Sequence, residues 1–296
     1  MRLGIDLGGS KVEGVVLDGA GAIVARQRVL TERDLGYEHV LGRVVALVAE
    51  LLPLVPGCTE VGIGTPGALS VRDGTLKNSN TVCLNGRPVL ADLEARLGLR
   101  VRLENDANCF ALAEARAGAG RGYDVVFGVI LGTGVGGGIV VRGEPWTGPQ
   151  RIAGEWGHHA IDPAGPSCYC GQRGCVETLL CGPALEAAYR TAGGAAPASA
   201  SEVAARAGAG EVIAGRVLDT YLAHFGRALA NVISILDPSV VVLGGGLSNL
   251  DVLYDRGRDE VARRVFSDEL TTPIVRHRLG DSAGVIGAAL LVADAG

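Results

Sequence analysis

One stretch of this chain nearly repeats itself 124 residues further on, and that repeat limits the possible folds more than any other feature. Leu3-Gly4-Ile5-Asp6-Leu7-Gly8-Gly9-Ser10-Lys11 runs on to Val15-Val16-Leu17-Asp18-Gly19, and Phe127-Gly128-Val129-Ile130-Leu131-Gly132-Thr133-Gly134 runs on to Ile139-Val140-Val141-Arg142-Gly143. Six of seventeen aligned positions are identical, and four more exchange one apolar residue for another. Each copy reads as strand, glycine-rich turn, strand. Such a turn can offer backbone N–H groups to an anion with no Cβ in the way. Two copies, one per half, predict a duplicated α/β architecture with a cleft between two lobes, where two turns hold a polyphosphate.

The length of 296 residues suits about two domains. The expected division is 1–118 plus 284–296 for a small lobe and 119–283 for a large one. Aromatics are only 4% of the chain, so aliphatic side chains must fill the core. Glycine, 46 residues, is roughly twice its usual share of about 7%, and it clusters where apolar runs end. A net charge of −5 argues against nucleic acid as a partner. The apolar run Val125 to Val141 is broken by six glycines and reads as two strands, not a membrane span. The first strand starts directly after Met1 with no secretory apolar segment, so a cytoplasmic protein is expected.

Strands are predicted at 3–7, 12–17 and 23–29, and Val40, Val44, Val48 and Leu52 mark an amphipathic helix. Further strands are expected at 61–64, 101–104 and 240–243. Further helices are expected at 107–117, 216–236 and from Gly284 to Ala293, the last packing back on the first unit. The segment 144–182 reads as a loop-rich insertion, and 191–210 as short helices and loops.

The first turn combines Gly8, Gly9, the Ser10 hydroxyl and the Lys11 ammonium with Asp6. A carboxylate beside a phosphate loop makes sense when a cation, such as magnesium held through water, lies between them. The second turn, Gly132-Thr133-Gly134, has no acid and would contact phosphate directly. Each turn leads into a strand, so neither fits the Walker or Rossmann pattern. Gly245 and Gly246 follow the strand at 240–243, where the backbone could approach a flat base or merely make a turn. Asp106 lies between Asn105 and Asn108 near the strand-to-helix junction. It reads either as a helix N-cap or as a general base with Asn105 orienting a substrate.

Glu155-Trp156-Gly157-His158-His159 precedes Cys168-Tyr169-Cys170-Gly171-Gln172-Arg173-Gly174-Cys175-Val176-Glu177. One His with Cys168, Cys170 and Cys175 makes a Cys₃His set, a common closed zinc site, and Gly171 and Gly174 permit the turn that returns Cys175. Spacing leaves His158 and His159 equal as ligands. Glu155 and Glu177 flank the set, and a metal that pins these loops would fix both acids in place. Seven cysteines, an odd number, disfavour a disulfide framework, and the other four read as small core residues.

Together these motifs, with Leu243-Gly244-Gly245-Gly246 and Gly280-Asp281-Ser282-Ala283-Gly284, resemble the ROK family (repressors, open reading frames and sugar kinases) over nearly the whole chain. The resemblance implies the two-lobed hexokinase/actin-like fold and ATP-dependent phosphorylation of the 6-hydroxyl of a free hexose. It makes Asp106 the base and places Gly67, Asn80, Asn105, Asp106, Glu155, His158 and Glu177 on the sugar. It puts Asp6, Gly8, Gly9, Ser10, Lys11, Gly132, Thr133, Gly134, Gly245 and Gly246 on ATP and magnesium. By the same resemblance His158, not His159, joins the three cysteines on zinc, and a homodimer is expected. Lys77-Asn78-Ser79-Asn80, Leu84-Asn85-Gly86 and Cys-Tyr-Cys-Gly look most like the bacterial fructokinase branch, although Cys83 stands where that branch tends to have Trp. Fructose is therefore the expected acceptor, with glucose and mannose as additional substrates, and N-acetylglucosamine kinase is the alternative. A non-catalytic sugar sensor is the alternative of another class, and it would have no need of the Asp106 base.

Overall fold

The structure is a computed structural model that describes residues 1–195 and 198–294. Parts of two expectations, 196–197 within the loop region and 295–296 of the small lobe, lie outside the described residues. In chain order the strands and helices are β1 (Arg2–Leu7), β2 (Lys11–Leu17), β3 (Ile23–Leu30), α1 (Tyr37–Leu51), β4 (Glu60–Thr65), β5 (Ala68–Leu69), β6 (Leu76–Lys77), α2 (Val89–Leu97), β7 (Arg100–Asn105) and α3 (Asp106–Ala117). They continue with β8 (Val125–Leu131), β9 (Val135–Val141), β10 (Glu144–Pro145), α4 (Val176–Leu180), α5 (Gly182–Thr191), α6 (Ala200–Gly208), α7 (Val212–Leu236), β11 (Val240–Gly244), α8 (Arg256–Ala262), β12 (Ile274–Arg276) and α9 (Ala283–Leu290).

The repeat in sequence is a repeat in topology. One sheet has the order β3-β2-β1-β4-β7 and the other β10-β9-β8-β11-β12. In the first, β1 and β2 form the antiparallel hairpin while β4 and β7 add in parallel. In the second, β11 and β12 add in parallel beyond β8. Among the described residues no helix is long and apolar enough to cross a membrane.

The chain forms two compact units: Met1–Gly122, Gly138–Ala153 and Leu279–Gly296 in one, Tyr123–Gly137 and Gly154–Arg278 in the other. This differs from the division expected from sequence, which kept 138–153 with the large lobe. The physical reason is local. A Cβ on Gly138 would stand 2.6 Å from the Ala107 carbonyl oxygen, and Arg116 of α3 donates to the Gly143 carbonyl at 2.8 Å and pairs with Glu144.

The core of the first unit explains much of the glycine content. Leu3, Ile5, Val40, Leu41, Val44 and Ile63 are fully buried between the sheet and α1. On the other face α9 lies so close that a Cβ on Gly62 would sit 1.8 Å from the Ala288 carbonyl oxygen, and one on Gly4 would sit 2.3 Å from the Ala289 nitrogen. A Cβ on Gly287 would meet the Cys109 carbonyl oxygen of α3 at 1.8 Å. The expected return of the C-terminal helix to the first unit is thus met by backbone-to-backbone packing, which only glycine permits.

Gly62→Ala should lower stability by about 1–3 kcal/mol or more, because the clash is with backbone that cannot rotate away. Gly42→Ala, at an exposed position of α1 with open space around it, should raise stability by about 0.5–1 kcal/mol. Urea midpoints of the two variants check both signs; a neutral Gly62→Ala would refute the packing account.

Candidate active site

The first unit brings Asp6 and Asp106 together. Asp6, next to last in β1, stands opposite Glu13 of β2 on the same face of the ladder, and Glu13 lies opposite Arg28 of β3. Glu13 is 1% exposed; Arg26 and Arg28 reach its two carboxylate oxygens at 2.5 and 2.6 Å, and Lys11 Nζ stands at 3.6 Å. Lys11 is therefore turned to Glu13 instead of standing free over the turn. Burial, then Asp106, then Glu13 push the Asp6 carboxyl up to about 7, against the pull of Lys11 and Arg28. A crowded carboxylate of this kind fits a cation held through water. A Cβ on Gly284 would lie 3.1 Å from Asp6 Oδ2, so the glycine of the C-terminal motif leaves room for this carboxylate.

At the end of β7 the capping question resolves. Asn105, not Asp106, is the N-cap of α3: its Oδ1 accepts from the Ala107 N–H at 2.9 Å. Its Nδ2 donates to the Gly67 carbonyl at 3.1 Å, which ties the Pro66-Gly67 turn to the strand end. Asp106 is the first helical residue, partly buried, with Oδ1 accepting from the Ala107 N–H at 2.9 Å. The two residues divide the roles: Asn105 caps the helix, and Asp106 places its carboxylate at the helix N-terminus.

In the second unit the Glu-Trp-Gly-His run is a single pinned turn. The Trp156 indole donates to the Gly136 carbonyl at 2.9 Å and stacks edge-on against Phe127. A Cβ on Gly157 would be 2.2 Å from the Val135 carbonyl oxygen, so glycine is required there. These contacts fix Glu155 and His158 on either side. Glu177, in the first turn of α4, accepts the Val135 N–H at 2.9 Å through Oε2. The Glu177 oxygen also lies 2.7 Å from where a Gly134 Cβ would be, so a side chain at Gly134 would disturb Glu177 as well as the second turn. Gly132 has open space around it, and its carbonyl accepts the Gly182 N–H at 2.7 Å. Gly245, at φ +78°, packs against the backbone of Leu131 at the end of β8, a reason for glycine that involves no ligand.

His158, Cys168, Cys170 and Cys175 place one ligand atom each within 4.8 Å of one another. His158 Nδ1 is 3.5 Å from Cys168 Sγ, and Cys170 Sγ is 3.6 Å from Cys175 Sγ. Ligand-to-ligand spacings in a tetrahedral zinc–thiolate site are about 3.8 Å, from Zn–S near 2.3 Å, so donor set and spacing both fit zinc. His159 is not a competitor, because its Nε2 meets Asn231 of α7 at 3.2 Å. Gly171 and Gly174 both adopt positive φ, as the turn demanded. Burial and the neighbouring thiols push Cys175 up to about 12, a cost that a bound cation removes. The other ring nitrogen of His158 meets the hydroxyl of Tyr169 at 2.9 Å. Sequence reasoning passed over Tyr169, whose only signal was its place between two ligands.

For the ligand-free protein, the sign of the Asp6 effect is that of an acid whose folded pKa lies above its unfolded value. Stability is highest below about pH 4 for this group and falls as pH rises towards and through about 7. Asp6→Asn should therefore be more stable than wild type at pH 8, on the order of 2 kcal/mol, with the gap closing towards pH 4. Melting temperatures across that range check it, and a pH-independent gap would count against the assignment.

The N-acetyl-D-glucosamine kinase of Escherichia coli (strain K12) is 39% identical over 302 residues, covering 98% of this chain and 99% of that protein. The ROK hexokinase of Thermus thermophilus superposes with a TM-score of 0.86 at 35% identity, covering 98% of this chain and 97% of the other. The ROK family glucokinase of Streptomyces griseus, crystallised with glucose and AMPPNP, has a TM-score of 0.81 at 30% identity and 98% coverage of both chains. These relatives share the two-lobed kinase fold expected from the motifs. With the ROK family profile matching residues 2–295 as well, this chain belongs to the ROK family.

Proposed function

We propose that the chain is an ATP-dependent sugar kinase that phosphorylates the 6-hydroxyl of N-acetyl-D-glucosamine. The observation that carries the kinase reading is the division of labour at the β7–α3 junction, where Asn105 caps the helix and Asp106 keeps a carboxylate at the strand end. A non-catalytic sensor has no use for that arrangement. The preference for N-acetyl-D-glucosamine rests on the 39% identity to a kinase of that sugar across both full lengths. Fructose, the acceptor expected from the short motifs, draws no support from these relatives; the hexokinase and glucokinase make glucose the second acceptor to test.

In this reading Gly67, Asn80, Asn105, Glu155, Glu177 and, in exchange for its Tyr169 contact, His158 Nε2 hold the sugar hydroxyls. Asp106 accepts the 6-hydroxyl proton as that oxygen bonds to the terminal phosphorus and the bond to ADP breaks. The turns at Gly8–Ser10 and Gly132–Gly134, with Gly245 and Gly246, hold the nucleotide. Asp6 would hold its magnesium ion, which neutralises phosphate charge. Zinc on His158, Cys168, Cys170 and Cys175 would be structural and would fix Glu177 through the two-residue link from Cys175.

An ADP-release assay across N-acetylglucosamine, glucose, mannose, fructose and N-acetylmannosamine should give the highest kcat/KM for the first. A higher value for fructose would overturn the sugar assignment. Asp106→Asn should lower kcat by about 10²–10⁴-fold while sugar affinity stays within a few-fold. Freshly purified protein should contain about one zinc per chain, and Cys170→Ser should lose it and raise the sugar KM roughly tenfold or more. Metal-free protein of full activity would rule the zinc role out.

A further inference from the structure

We propose that Arg33 and Thr81, with the Gly8–Ser10 turn, form the seat of the phosphoryl group that is transferred. The proposal rests on the kinase reading and adds two residues to it. The chain leaving β3 is stitched to the turn: Thr31 Oγ1 donates to the Gly8 carbonyl at 2.7 Å, and the Thr31 N–H donates to the Ser10 carbonyl at 3.0 Å. The next residue, Glu32, is held at φ +50°, ψ +46°, a left-handed conformation that costs a non-glycine residue about 1–3 kcal/mol. Its carboxylate is anchored by His39 Nε2 at 2.9 Å, with Arg43 at 3.8 Å.

That bend carries Arg33 back over the turn. Arg33 Nη1 lies 3.2 Å from the position a Cβ would take on Gly9, so the guanidinium stands in close contact with the turn. Thr81 Oγ1 is 3.5 Å from the same point, and Asn80 Oδ1 is 3.8 Å away. Thr81 is 0% exposed, yet its hydroxyl has no hydrogen-bond partner among the described residues. A buried hydroxyl without a partner is costly, and it marks a place for an acceptor that arrives from outside the fold. Among the described residues Arg33 makes no ion pair, whereas Lys11 is turned to Glu13. A guanidinium fork, a lone hydroxyl and a glycine turn converge on one point with donors in excess, which suits a phosphate dianion.

The same phosphate belongs first to the nucleotide and then to the sugar product, so calorimetry with AMPPNP, ADP, N-acetylglucosamine and N-acetylglucosamine 6-phosphate separates the sources. Arg33→Gln should weaken AMPPNP and the sugar phosphate about 10- to 100-fold, the loss of a charged hydrogen bond, and leave ADP and the free sugar within about twofold. Thr81→Val should act in the same direction by a few-fold, and Thr81→Ser, which keeps the hydroxyl, should restore binding. Weakening of AMPPNP alone would assign the seat to the donor phosphate, and of the sugar phosphate alone to the product. Unchanged binding of both, or equal weakening of the free sugar, would overturn the proposal. A melting temperature of Arg33→Gln close to wild type separates lost binding from lost folding. Failure of the wild type to phosphorylate any sugar would strike the kinase reading, while the AMPPNP-to-ADP contrast would still test the seat.

Discussion

Close approach of backbone to backbone, with no room for a Cβ, is the constraint on which both units depend. In the first unit Gly4 and Gly62 let α9 lie directly on β1 and β4, and Gly287 lets α9 meet α3. In the second, Gly157 sets the Glu155–His158 turn against Val135, and Gly174 lets the cysteine loop fold against the Asp162 carbonyl at a distance that excludes any side chain. These contacts are short-ranged and steep, so they define position more sharply than aliphatic packing does. Functional side chains sit one to three residues from such points. Asp106 is three residues from Cys109, His158 follows Gly157, and Cys175 follows Gly174.

A second constraint is electrostatic. The face of β1 and β2 carries Asp6 opposite Glu13, an arrangement that is unfavourable across a ladder. Arg26, Arg28 and Lys11 neutralise Glu13, which leaves Asp6 as the carboxylate whose charge is still poorly compensated. The site is thus built so that a cation improves it. In the second unit the three thiols crowded around His158 Nδ1 create a similar demand. Each unit holds a cluster that would be disfavoured empty, consistent with selection for binding at some cost to the stability of the free protein.

Much of this was legible in the chain. The two hairpins, the strands at 61–64, 101–104 and 240–243, α1 and the long α7 follow from period and punctuation, and the Cys₃His cluster follows from residue type and spacing. Other features were not. Asp106 and Asn105 are equally good caps by residue type and both accept the Ala107 N–H; only the extended backbone at Asn105 shows that it is the cap and that Asp106 begins the helix. His158 and His159 are adjacent, and the choice depends on Asn231, seventy-two residues further on. Gly138–Ala153 groups with the first unit because of contacts with α3 that no local pattern announces. Arg33 stands in a short polar segment without periodicity, and its place over Gly9 depends on a left-handed Glu32 that residue type disfavours.

By itself, then, the sequence determined the two hairpins, the central strands, α1, α3, α7 and α9, the two glycine turns and the chemical inventory of acids, thiols and imidazoles, but not α2, α5, α8 or β12. What it determined depends on interactions between near neighbours, which a linear pattern records. Tertiary structure alone decided which of two adjacent residues caps and which keeps its carboxylate, which histidine faces the thiols, and which cation lies on the first turn. The cap depends on backbone dihedrals at one junction and the other two choices on partners distant in the chain, and none of these is encoded by spacing along the sequence.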